Sequence, residues 1–321
     1  MFKKFLTVVV FFAISTSSVF ANSYDEGVDA YEAGDYKEAM EILLPFAEQG
    51  NAEAQVVIGT LHSSGMGVDK DKENAARWFR KAANKGNAVA ILNLDLLYSR
   101  GEGGTSEEIF SWYLNLANSK ESLDPSNPGS IYVTAQYNVG LFYLEGKGVE
   151  RDPEEAINWL MEAEKNGSLS AKYVLAMEYY KGDILDKDAR KAFDLFEVLA
   201  SEGDARSQYF IGMFYLEGDV VPQNHSNASY WFKKSSEQGV PNAQYQLSSM
   251  YTQGLGVRED LVIAYFLSSL SAAQGHEGAK EIRDILFDYL SRDQVEEGQR
   301  LTAQWEVGTR LPSHEDTLTW P

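Results

Sequence analysis

The chain has 321 residues, no cysteine and a formal charge of −20. The absent thiols exclude a disulfide framework, a cysteine nucleophile and a lipid-bearing N-terminal cysteine. The acidic balance argues against nucleic acid and anionic membrane surfaces as partners, while 44% hydrophobic and 12% aromatic residues suffice for a packed core.

At the N-terminus, Lys3 and Lys4 precede an apolar run from Phe5 to Ile14, and Val19-Phe20-Ala21 resembles a cleavage site. This predicts a signal peptide over 1–21, cleaved after Ala21. The run is shorter than the ~20 residues that cross a bilayer. The expected location is therefore the periplasm or the medium, with no membrane insertion after cleavage.

From 51 to 275 the chain repeats with a period of 36 residues. Tyr143, Tyr179, Tyr215 and Tyr251 form one column. Gly146, Gly182, Gly218 and Gly254 form a second, and Gly167, Gly203, Gly239 and Gly275 a third. Asp152, Asp188, Asn224 and Asp260 stand in register, as do Ala156, Ala192, Ala228 and Ala264. Upstream, Gly59, Gly65, Gly67, Trp78 and Gly86 fit the same template. The unit over about 87–131 is irregular: it lacks two loop residues, then carries an insertion at 118–131 containing DPSNPG, a loop signature. Residues 22–50 read as an N-terminal capping half-repeat, 276–306 as C-terminal capping helices, and 307–321 as a loose tail.

Each unit reads as two helices. Ala135, Val139, Gly140 and Tyr143 share one stripe of the first helix, and Ala156, Trp159, Leu160 and Ala163 one stripe of the second. Asp152-Pro153 begins the second helix as a cap followed by a first-turn proline, and Gly167 ends it. Gly146-Lys147-Gly148 taken singly suggests a phosphate loop. It recurs as SGMGV at 64–68 and QGLGV at 253–257, with methionine or leucine in place of lysine. It is therefore a helix-to-helix turn, with glycines supplying positive φ.

The pattern from Ala135 to Gly167 resembles the Sel1-like repeat family, a relative of the tetratricopeptide repeats. The resemblance covers about 24–305. It implies an all-α fold: an α/α solenoid, a right-handed superhelix of about six 36-residue helix-turn-helix repeats with terminal capping helices and a concave groove lined by first helices. It also implies an adaptor for protein complexes, in an exported bacterial member. Stacking supplies the face that a lone helix pair cannot bury. Trp78, Trp159 and Trp231 are expected between the layers, each costing about 3–5 kcal/mol on truncation to alanine.

No catalytic motif appears in the chain, and no cofactor or metal is expected. His62 stands in the tyrosine column as a packed substitute. Asp95 stands in the small-residue column of Gly59, Gly140, Ala176, Gly212 and Ser248, where a carboxylate needs a partner. The functional candidates lie opposite the core stripe of the first helices: Tyr137 and Leu141, Tyr173, Met177 and Tyr180, Tyr209 and Met213, and Tyr245. Tyrosine and methionine suit adaptable protein contacts. The expected function is an exported, non-enzymatic scaffold that binds a protein or peptide through this face. Two alternatives stay open. One is a cell-wall or β-lactam-directed hydrolase or binding protein, as among cysteine-rich exported relatives whose repeat disulfides are missing here. The other is a peptidoglycan-strand receptor that uses the tyrosines as stacking platforms.

Overall fold

A computed structural model of the chain describes residues 24–119 and 131–313. The predicted signal peptide, most of the 118–131 insertion and the end of the tail lie outside the described residues. Among the described residues every regular element is a helix, and the fold is an all-α, α/α solenoid of helix-turn-helix repeats. The chain divides into two compact units, one ending at Trp159 and one beginning at Leu160.

The first unit holds α1 (24–33), α2 (Tyr36–Glu48), α3 (Ala52–Ser64), α4 (Lys72–Ala83), α5 (Ala88–Tyr98), α6 (Ser106–Asn118), α7 (Ile131–Glu145) and the start of α8 (Pro153–Lys165). The second holds the rest of α8, then α9 (Leu169–Lys181), α10 (Ala189–Ser201), α11 (Ala205–Glu217), α12 (His225–Glu237), α13 (Pro241–Gln253), α14 (Leu261–Ala273), α15 (Glu277–Tyr289) and α16 (Arg292–Gln304). The N-terminal cap is a full helix pair rather than a half-repeat. Tyr24, Val28 and Tyr31 on α1 pack against the core of Leu43, Ala47 and Ile58.

Two local devices close each loop. The side chain before the second helix caps it: Asp71, Asp152, Asp188, Asn224 and Asp260 each accept from the backbone N–H three residues on, at 2.9–3.0 Å. The backbone N–H of the same residue donates to the carbonyl of the tyrosine column, at 2.9 Å from Asp71 to His62 and 3.0 Å from Asp152 to Tyr143. Tyr179, Tyr215 and Tyr251 accept in the same way. The acceptor is main chain, so histidine serves at 62; its Nε2 lies 3.2 Å from Asn74 Nδ2.

Gly146 and Gly148 both have positive φ, 66° and 70°. Gly148 has a second task. A Cβ there would fall 2.3 Å from the Ser106 carbonyl, because the loop presses on the start of α6. Gly67 meets Tyr36 and Gly256 meets His225 in the same manner. The second glycine of the loop is therefore the point where one repeat touches the backbone of the helix before it.

The small-residue column faces a ring. A Cβ on Gly59 would lie 2.6 Å from the Phe79 ring, and one on Gly212 2.6 Å from that of Phe232. In the last repeat, Ser248 replaces the glycine and donates to the Ala264 carbonyl at 2.7 Å. Asp95 finds a different solution, since the Tyr113 hydroxyl donates to its Oδ1 at 2.8 Å. Tyr113 sits where Phe79 and Phe232 sit in their own repeats.

The interlayer space is filled differently from expectation. Trp78 is buried, but Trp159 and Trp231 are only half-buried. The fully inward residue is the next one along, Phe79, Leu160, Phe196 or Phe232, each at most 2% exposed. One step along the helix turns a side chain by about 100°, enough to place the tryptophan at the layer's edge. The tail also departs from expectation over its described part. Gly308 N donates to the Glu237 carbonyl at 2.7 Å, Leu311 N donates to the Glu237 carboxylate at 3.1 Å, and Leu311 is buried. One apolar anchor and two hydrogen bonds hold the strand against α12.

Candidate functional site

Within the second unit, the first helices α9, α11 and α13 place Tyr173, Met177, Tyr180, Tyr209, Met213 and Tyr245 at equivalent positions, all half-buried. Much of their apolar surface is spent on the fold. Tyr173 packs edge-on against Phe196, with ring centroids 5.9 Å apart. Tyr180 packs against Phe210 at 5.2 Å and Phe214 at 5.9 Å. Tyr209 packs against Phe210 at 5.3 Å and Phe232 at 5.9 Å. Such pairs fix the rings without hiding both faces, which gives a pre-set aromatic surface rather than a loose one.

Each tyrosine of the column meets a different neighbour. The Arg206 guanidinium lies 4.0 Å from the Tyr173 ring centroid and pairs with Asp204 at 3.7 Å. His276 stacks on Tyr245 at 4.4 Å, while its Nδ1 accepts from Ala279 N at 3.1 Å and caps α15. No cation lies over Tyr209 among the described residues; its hydroxyl bonds to Gln246. Burial pushes the phenols of Tyr173, Tyr180 and Tyr209 up from the ordinary tyrosine range, and the Glu217 carboxylate adds to the rise at Tyr180 and Tyr209. These hydroxyls therefore stay protonated at neutral pH, available as hydrogen-bond donors.

In the first unit, Tyr137 and Leu141 on α7 are half-buried. The residues left out of the sequence expectation are Leu92 and Leu96 on α5, which are 60% and 49% exposed. They occupy the same positions of their first helix as Tyr173 and Met177, counted from Ala90 and Ala171. The repeat register carries them, although the irregular loop that follows obscures it. Of the structural set, Gly140 is buried, Tyr143 is half-buried, and burial raises the Tyr143 phenol.

The second-helix side has a different character. A cavity of about 630 Å³ beside α4, α5 and α6 is lined by Arg80, Ile91, Trp112, Asn115 and Tyr132, among others. Arg80 is held by the Tyr98 hydroxyl and lies 3.9 Å from Glu108. Among the described residues no three His, Asp or Glu side chains gather as a metal-ligand set.

A row of buried glutamines also went unread in the sequence. Gln55 Nε2 donates to the Ala47 carbonyl at 2.8 Å, Gln208 to Ala200 at 3.2 Å and Gln244 to Ser236 at 3.3 Å. Each joins a first helix to the end of the helix before it. They recur at fixed register, a signal that the tyrosine and glycine columns overshadow.

The profile of the Sel1 repeat matches residues 52–87, 133–168, 169–204, 205–240 and 241–276, together more than half of the chain. The chain belongs to the Sel1 repeat family. Sel1-repeat proteins generally act as protein-interaction scaffolds rather than catalysts. The chain is similar in structure to a Sel1 repeat protein from Oxalobacter formigenes, with TM-score 0.65 and 29% identity over 83% of this chain and 76% of that one. It is also similar to a protective antigen of uropathogenic Escherichia coli strains displaying an SLR fold, with TM-score 0.53 and 26% identity over 89% of this chain and 68% of that one. In sequence it is 30% identical over 151 residues to a chitin synthase regulator of Saccharomyces cerevisiae, covering 46% of this chain and 20% of that protein. The chain thus spans about a fifth of that relative's length. Among the described residues, no helix is long and apolar enough to cross a membrane.

Proposed function

We propose that the chain is an exported, non-enzymatic scaffold that holds a protein or peptide partner on the concave face of its first helices. The observation that carries this reading is the pre-set aromatic row of the second unit. Tyr173, Tyr180 and Tyr209 are locked edge-on by Phe196, Phe210 and Phe232 yet remain partly open. Rigid tyrosines offer a large contact area at low entropic cost, which is the property of binding hot spots. Export rests on the leader-like residues 1–21, and the periplasm is the preferred location.

The test is a pull-down of the native partner from an envelope fraction with the full chain. Alanine at Tyr173, Met177 and Tyr209 together abolishes capture while the helical circular dichroism signal stays intact. Undiminished capture by the folded variant removes the first-helix face from the function.

A further inference from the structure

This inference deepens the preceding reading and rests on it: the row of tyrosines has one position built to receive a positive charge. The repeat supplies its own template. At Tyr173 the ring face carries the guanidinium of Arg206, which extends from the next first helix and is balanced by Asp204. One repeat later the arginine position holds Asn242 and the aspartate position holds Val240. Neither residue can place a cation over Tyr209. At Tyr245 the neighbouring turn brings in His276 and the close backbone of Gly278, where a Cβ would lie 3.0 Å from the ring. Tyr209 is thus the member of the second unit's column that lacks a covering group.

A carboxylate stands beside this gap. Glu217, at the end of α11, is exposed. It occupies the position of Lys181 one repeat earlier and Gln253 one repeat later. Among the described residues it makes no ion pair and no hydrogen bond. Its field reaches the hydroxyls of both Tyr180 and Tyr209, so the three groups share one small region. Burial, followed by the nearby Asp219, raises the Glu217 carboxyl above the ordinary glutamate range, and Lys187 offsets only part of that. Negative field here is in excess, as it is over the chain at −20.

We propose that Tyr180, Tyr209 and Glu217 form a subsite for a cationic side chain, arginine above all, presented by a basic peptide segment of the partner. The guanidinium lies over the Tyr209 ring, repeating the Arg206–Tyr173 arrangement, and its N–H groups face Glu217. A ring face and a carboxylate acting together favour arginine over lysine, since the planar guanidinium both stacks and donates in a fork.

The probes are N-acetyl-arginine methylamide and its citrulline analogue, which has nearly the same shape and no charge. Full-length protein labelled in its tyrosine rings is titrated with each and followed by NMR, the Tyr209 signal being assigned with Tyr209→Phe. The arginine compound shifts the Tyr180 and Tyr209 signals saturably, and citrulline binds about ten-fold or more weakly, in line with the loss of cation–π and ionic contacts. Glu217→Gln lowers arginine affinity about five-fold or more, and the fold is not at stake because Glu217 is exposed and unpaired. Silent tyrosine signals, equal response to citrulline, or an unchanged Glu217→Gln each overturn the subsite. If one of these appears while the triple alanine variant still loses its partner, the subsite alone falls. If the triple variant also keeps its partner, the first-helix reading falls with it.

Discussion

The contact between a first helix and the second helix of its own repeat is made in two chemically opposite ways. At Gly59–Phe79 and Gly212–Phe232 a bare backbone receives an aromatic face so closely that no Cβ fits. At Asp95–Tyr113 a carboxylate occupies the same column, and the facing ring carries a hydroxyl that satisfies it. The irregular second repeat is therefore not a damaged copy. A polar group on the tight face is matched by one complementary atom on the facing helix, since an unsatisfied buried polar group is costly. The comparison also shows that the column constrains a pair of residues rather than one.

The pair can be broken from either side. The largest expected effect is at a regular contact: Phe232→Ala costs about 3–5 kcal/mol in urea unfolding, while Trp231→Ala, at the half-buried position next to it, costs distinctly less. Equal losses would contradict the packing described for the two residues. Next comes Tyr113→Phe, which leaves the Asp95 carboxylate without its donor and costs about 1–3 kcal/mol. Adding Asp95→Gly rebuilds a glycine–phenylalanine contact and recovers most of that loss. A double variant no more stable than Tyr113→Phe alone would show that the two residues are not one unit.

The smallest expected effect is in pH dependence. Burial raises the Asp95 carboxyl above the ordinary aspartate range, and the Tyr113 hydrogen bond opposes this only in part. The folded chain then holds this proton more tightly than the unfolded chain. Stability due to Asp95 is greatest below the unfolded aspartate range, falls as pH rises toward the raised folded value, and is level above it. Asp95→Asn removes that slope, so its stability relative to the parent rises with pH across the same window. A pH-independent difference would place the carboxylate in solvent.

Much of the fold was legible because repetition displays it. The tyrosine, glycine and cap columns each name a helix end, and the caps at Asp71, Asp152 and Asp188 form the bonds their positions suggest. Less legible were contacts between elements distant in sequence. The approach of Gly148 to Ser106 depends on stacking, which a single unit cannot reveal. The Asp95–Tyr113 pair was hidden because the two missing loop residues shift Tyr113 out of the 36-residue register. The tail was misjudged because one leucine and one glutamate, Leu311 and Glu237, hold it from 74 residues apart. At the candidate site, the register located the tyrosines but not their burial, which the phenylalanines of neighbouring helices decide.

The most direct measurement sets the two faces of the second unit against each other in the same pull-down. The triple alanine variant at Tyr173, Met177 and Tyr209 is compared with alanine at Val198 and Tyr230, which are 44% and 51% exposed on the second helices α10 and α12. Loss of the native partner only in the first variant, with both retaining the helical signal, is the predicted result. Loss only in the second, or retention in both, would contradict the assignment of binding to the first-helix face.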